Sequence, residues 1–137
     1  MIMSESNICK HTKCPFNIRS TSKFWLGQTG SYKGFAKFDD YDMGIRAGMK
    51  LIANYIRLYD RDSVTKIIMP YAPPSENNTQ SYIDYVEKAC DHYGVSTRNI
   101  SVGSHSFFVV LRAMAIFEAG YVIDFDRLHY IYDTWKI

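Results

Sequence analysis

One segment constrains the fold more than any other: from Phe107 to Ala119 the chain is apolar almost without interruption, broken by Arg112 and Glu118 alone. A membrane-spanning helix needs about 20 such residues, so this shorter run must find its apolar surroundings inside the protein. It predicts a central helix enclosed by others. Ser104 or Ser106 supplies its N-cap, and Gly120 ends it.

The remaining elements arrange themselves around that helix. Asp39 and Asp40 are N-cap residues. After them Ile45, Met49, Ile52, Tyr55, Ile56 and Tyr59 recur at intervals of three and four, which predicts an amphipathic helix over Tyr41 to Tyr59. Ser63 caps a shorter helix, Val64 to Met69, which Pro70 and the Pro73-Pro74 pair should end. Asn78 or Asn77 opens a third, with Tyr82, Ile83, Val86, Ala89 and Cys90 on one face, Asp84, Glu87, Lys88 and Asp91 toward water, and Gly94 at its end. A last helix, Phe125 to Trp135, follows Asp124. Residues 1 to about 33 lack a sustained period and read as a loop-rich entry anchored by Phe16, Ile18, Phe24 and Trp25, and Gly34 to Phe38 reads as a short extended segment. The expected fold class is mainly α: one domain over residues 1–137, about five helices around a central apolar helix and at most a short β segment, with residues 1–13 a loosely ordered extension.

Composition excludes several functions. Charged residues make up 22% and hydrophobic residues 47% of the 137, a globular balance. Sixteen Lys and Arg against fourteen Asp and Glu leave a formal charge of +2, and the cations are dispersed, so no nucleic-acid partner is expected. No run is long enough for a membrane span, and Met1 to Pro15 carries Glu5, Lys10, His11 and Lys13 where a signal peptide needs an apolar stretch. The chain is expected to be made in the cytoplasm. Cys9, Cys14 and Cys90 imply no disulfide framework. Cys9, His11 and Cys14, with Cys90 and His92 apart, fit no tight zinc pattern, so neither metal nor other cofactor is expected. The 21 aromatic rings (11 Tyr, 8 Phe, 2 Trp) suit packing, sugar stacking or base stacking alike.

Glu118 is the candidate for chemistry. Four, seven and eleven residues before it stand Met114, Leu111 and Phe107, so it extends the apolar stripe as a carboxylate on the wrong face. Desolvation and the negative end of the helix dipole should both disfavour its ionisation, and a carboxyl that keeps its proton can act as a general acid in glycosidic cleavage. The alternative is a glutamate at the domain edge reaching water. The loop Tyr71-Ala72-Pro73-Pro74-Ser75-Glu76-Asn77-Asn78-Thr79, stiffened by two prolines and ending at a helix N-terminus, is a second candidate. Its plainer reading is a capped helix entry.

Cys14-Pro15-Phe16-Asn17-Ile18-Arg19, then Trp25 and Gly27, Gly34-Phe35-Ala36-Lys37-Phe38, Gly44 and Arg46-Ala47, together with Tyr71 to Tyr82, resemble phage and prophage lytic structural proteins similar to the lytic enzyme of enveloped double-stranded RNA phages. The resemblance runs from Cys14 to the C-terminus. In that family Asn stands where Cys14 is and Gly where Phe16 is. Ala113 to Gly120 resembles the Glu-x-Gly helix end that carries the acid in lysozyme-like transglycosylases and glucosaminidases, where it comes first, which implies a circularly permuted arrangement.

The resemblance implies an endolysin-like enzyme that cleaves the β-1,4 glycan strand of peptidoglycan, with Glu118 and Tyr71 catalytic and Asn17, Arg19, Trp25, Glu76 and Asn78 binding substrate. With no second carboxylate firmly placed, although Glu76 or Asp39 could approach Glu118, a transglycosylase route fits better than a two-carboxylate hydrolase. Its partners would be peptidoglycan glycan strands and other virion proteins, and it would act at the cell wall or periplasm, released at lysis or carried on the virion. The alternative is a non-catalytic virion component that keeps the fold for glycan binding or assembly.

Overall fold

The computed structural model describes residues 8–137. Residues 8–12 are helical, and a hairpin of β1 (Gln28–Tyr32) and β2 (Phe35–Phe38) follows. Then come α1 (Tyr41–Tyr59), α2 (Val64–Tyr71), α3 (Thr79–His92), α4 (His105–Ala119) and α5 (Phe125–Thr134). The architecture is mainly helical with a small antiparallel sheet, as expected. Among the described residues no helix is long and apolar enough to cross a membrane.

Four of the five named helices begin where a side chain satisfies an orphan amide, α5 starting after Asp124 without such a bond. Asp40 caps α1, accepting from Met43 N at 2.9 Å. Ser63 accepts from Lys66 N at 3.1 Å, Asn78 from Ser81 N at 3.3 Å, and Ser104, rather than Ser106, from Phe107 N at 3.2 Å. α4 lies at the centre, burying Phe107 through Leu111 and Ala113 through Ala115 against α3 and α5. Gly120 closes it at φ 63°, sending its N–H back to Ala115 and Ile116 carbonyls.

Three readings need correction. α2 runs through Pro70 to Tyr71 instead of stopping at Met69. Pro70 falls in the last turn, where the bond it forfeits is the one to Lys66, and Ala72 N still reaches Ile68 O at 2.8 Å. β1 was not expected, because Gln-Thr-Gly-Ser-Tyr is polar and its register is interrupted between Gln28 and Gly30. The turn makes the pairing: Lys33 at φ 51° and Gly34 at φ 86° are the two left-handed residues of a tight hairpin. Of the expected anchors, Phe16 and Ile18 are buried and Trp25 packs partly buried against the core, but Phe24 is 58% exposed.

The entry segment is more ordered than its sequence implied. Cys9 and Thr12 are buried, so residues 8–13 belong to the fold; the rest of the expected extension lies outside the described residues. The segment continues alongside β2, with Ala36 N bonded to Ile18 O and Ser20 N to Gly34 O, both at 2.8 Å. It also presses onto α1 at two glycines. A Cβ at Gly44 would stand 2.0 Å from the Lys13 carbonyl oxygen, and one at Gly48 2.2 Å from the Phe16 ring. Only glycine permits that approach.

Candidate functional site

Glu118 sits in the last turn of α4 and is 4% exposed. The apolar stripe of Phe107, Leu111 and Met114 is fully buried, as its spacing required, and it carries Glu118 inward with it. The carboxyl is held from the entry segment. Asn17 Nδ2 donates to Glu118 Oε1 and to the Glu118 carbonyl oxygen, each at 3.3 Å. Asn17 adopts φ 50°, a left-handed conformation that asparagine tolerates better than most residues. That turn answers the departure at Phe16. Phe16 itself does not lie at positive φ; it is buried with its ring on Gly48 while its neighbour Asn17 makes the turn.

Glu118 lines a cleft of about 210 Å³ together with Asn17, Arg19, Tyr71, Pro73 and Glu76. Four parts of the chain build it: the entry segment, Phe35 at the start of β2, the end of α2 with the double-proline loop, and the end of α4. The walls are tied together. The Tyr71 hydroxyl donates to the Phe16 carbonyl. Arg19 and Glu76 form an ion pair at 3.6 Å, and the Arg19 guanidinium lies 4.6 Å from the centre of the Phe35 ring. Both ends of that pair are largely exposed, so it organises the mouth of the cleft more than it stabilises the fold. The loop is held at its base by Thr79 Oγ1 donating to Ala72 O at 2.5 Å, and by Asn77 Nδ2 donating to Pro73 O at 3.3 Å.

Five of the seven expected site residues thus meet in one cleft: Glu118, Tyr71, Asn17, Arg19 and Glu76. Trp25 and Asn78 do not line it. Trp25 packs against the core, and the side-chain Oδ1 of Asn78 is taken up in capping α3, accepting from Ser81 N. Asn77 stands on the wall instead, beside Phe35, Pro70 and Ala72. Asn77 and Asn78 are adjacent and chemically alike, and only the N-cap geometry decides which one faces the cleft. Phe35 could have been found through Arg19, since an arginine at a cleft mouth needs a flat partner.

The thiols take no part. Cys9, Cys14 and Cys90 are buried and unpaired with one another. Burial pushes Cys14 up to about 12 and Cys9 and Cys90 to about 11, which leaves them unreactive near neutrality. Among the described residues no group of His, Cys, Asp and Glu is placed to hold a metal ion.

Fold and site together define a mainly helical domain whose cleft is built around one buried carboxyl group. No family model matches the chain. It is 33% identical over 111 residues to Protein P5 of Pseudoalteromonas phage PM2, an alignment covering 77% of this chain and 67% of that protein. The chain belongs to the family of this phage protein.

Proposed function

We propose that this phage-family protein cleaves the β-1,4 glycan strand of peptidoglycan, with Glu118 as the general acid. One observation carries the reading: a glutamate that is 4% exposed nevertheless lines an open cleft, facing the double-proline loop. The chemistry asks for a carboxyl group that delivers a proton to the leaving oxygen, and Glu118, in the last turn of α4, is the buried carboxyl group at this cleft. The resemblance of the Cys14-to-Arg19 and Tyr71-to-Tyr82 segments to phage lytic proteins agrees with that chemistry.

In the transglycosylase form of the reaction, the Glu118 proton passes to the glycosidic oxygen as the bond from that oxygen to the anomeric carbon breaks. A hydroxyl of the same sugar then closes on the anomeric carbon and returns its proton to the Glu118 carboxylate, so no cofactor is consumed. Asn17 holds the Glu118 carboxyl in place. Tyr71 orients the sugar with its ring, because its hydroxyl is bonded to Phe16. Arg19 and Glu76 contact the glycan at the mouth. Glu76 also lines this cleft, so a hydrolytic route, in which it directs a water, is the variant to distinguish by product.

A second reading has its own observation. The cleft, at about 210 Å³, is smaller than the ~300–1,000 Å³ usual for ligand sites. A virion component that binds glycan or assembles with other virion proteins, without cleaving, would be satisfied by such a cleft. Clearing of purified murein separates the two. The catalytic reading expects clearing by the wild type and a loss of at least about 100-fold in Glu118→Gln, with an unchanged circular-dichroism spectrum. Equal clearing by the two proteins would remove Glu118 from the mechanism. No clearing, with retention on sacculi, would establish the binding reading.

A further inference from the structure

Exposed aromatic side chains also line a hollow apart from the Glu118 cleft. A second cavity, of about 430 Å³, lies between the start of α1 and the end of α5. Trp135 and Tyr130 line it and remain 40% and 61% exposed. Asp40, Asp42 and Arg127 line it as well. Arg127 is fixed: its Nε and Nη2 both donate to Asp42 Oδ1 at 2.8 Å, and its Nη1 donates to the Tyr121 hydroxyl at 2.8 Å. Tyr121 in turn stacks on Tyr41, with ring centres 4.9 Å apart.

We infer that this cavity is a saccharide-binding site, separate from the Glu118 cleft. A pyranose ring has an apolar face of C–H groups and a rim of hydroxyls, and it is held by an aromatic plate flanked by rigid, planar polar side chains. Trp135 and Tyr130 supply the plate, and the Asp42–Arg127 pair supplies acceptors and donors already held in position. The charge points to a neutral ligand. Arg127 is paired with Asp42 and Asp40 caps α1, while Arg46 lies 5.9 Å from the centre of the Trp135 ring and Lys13 5.2 Å from that of Tyr41, so the charges around the cavity are mixed and leave no surplus that selects an ion. The volume falls within the ~300–1,000 Å³ usual for ligand sites. Leaving Trp and Tyr exposed costs the protein apolar burial, a cost explained when a ligand covers them.

The site does not require that Glu118 cleave anything; only the choice of a β-1,4-linked N-acetylglucosamine oligomer as probe rests on the reading above. The test titrates the N-acetylglucosamine tetramer onto the full-length Glu118→Gln protein while following the two tryptophan indole N–H resonances, assigned with Trp25→Phe and Trp135→Phe. The inference expects a saturable shift of the Trp135 resonance. It also expects affinity weaker by about threefold to tenfold in both Trp135→Ala and Tyr130→Ala. Tyr130 is exposed enough that its truncation should leave the fold intact, so the second variant guards against misfolding in the first. A still Trp135 resonance, or a Tyr130→Ala protein that binds as tightly as its parent, would overturn the site. Murein clearing by the wild type would be unaffected by that failure, which separates it from failure of the catalytic reading.

Discussion

At the residue scale the structure turns on Asn17. It makes a left-handed turn and donates from one amide to both the side chain and the backbone of a residue on α4. These two duties can be separated. Asn17→Gly loses the hydrogen bonds but keeps the turn, whereas Asn17→Ala loses the bonds and also bears a Cβ at positive φ, costing roughly a further 1 kcal/mol. Urea unfolding should therefore rank wild type above Asn17→Gly and Asn17→Ala last; an alanine variant as stable as the glycine one would show that the turn is unstrained. The buried thiols give a pH prediction. Their pKa values of about 11 to 12 exceed those in the unfolded chain, so their contribution is fully present below about pH 8.5 and is lost as pH rises toward 11. Thermal denaturation should show a melting temperature falling above pH 9, and the fall should be smaller in Cys14→Ala at equal starting stability. A curve that stays flat to pH 11 would contradict the burial of these groups.

At the scale of elements, α1 is the surface on which the entry segment is laid. Alanine is the better helix former by about 1 kcal/mol, yet Gly48→Ala should destabilise the protein by about 1–3 kcal/mol, because its methyl meets the buried Phe16 ring at 2.2 Å. Gly44→Ala meets backbone at 2.0 Å and should cost at least as much, while Gly30→Ala, with nothing within 4 Å, serves as the control. Calorimetric melting of the three variants checks the order; a Gly48→Ala protein as stable as the Gly30→Ala control would contradict the packing. The helices themselves were legible in the sequence. Tyr41 to Tyr59 announced itself by period and cap, and the apolar run before Gly120 by composition. What could not be read were features decided by partners: β1, whose polar residues are strand only because a Lys33-Gly34 turn folds them onto β2, and the close packing of Lys13, Cys14 and Phe16 on two glycines that look like ordinary helix interior.

At the scale of the whole molecule, four separate stretches meet around one carboxyl group: the entry segment, Phe35 on β2, the double-proline loop and the end of the central helix. Glu118, Tyr71 and Glu76 could be singled out in the sequence, because a carboxylate in an apolar stripe and a rigid loop are locally visible, whereas Asn17 and Arg19 entered only through the resemblance of the Cys14-to-Arg19 segment. Their meeting could not, since Asn17 and Glu118 are 101 residues apart and only packing joins them. Trp25 and Asn78 were misplaced because a side chain suited to a ligand is equally suited to a core or a cap. The central claim, that this convergence makes Glu118 a glycan-cleaving acid, is tested most directly by mass analysis of soluble products from purified murein. The account predicts that wild type releases disaccharide-peptide fragments, each lighter by one water than a hydrolysis product, and that Glu118→Gln releases none. Glycan strands left uncut by the wild type, or cut equally by Glu118→Gln, would contradict it.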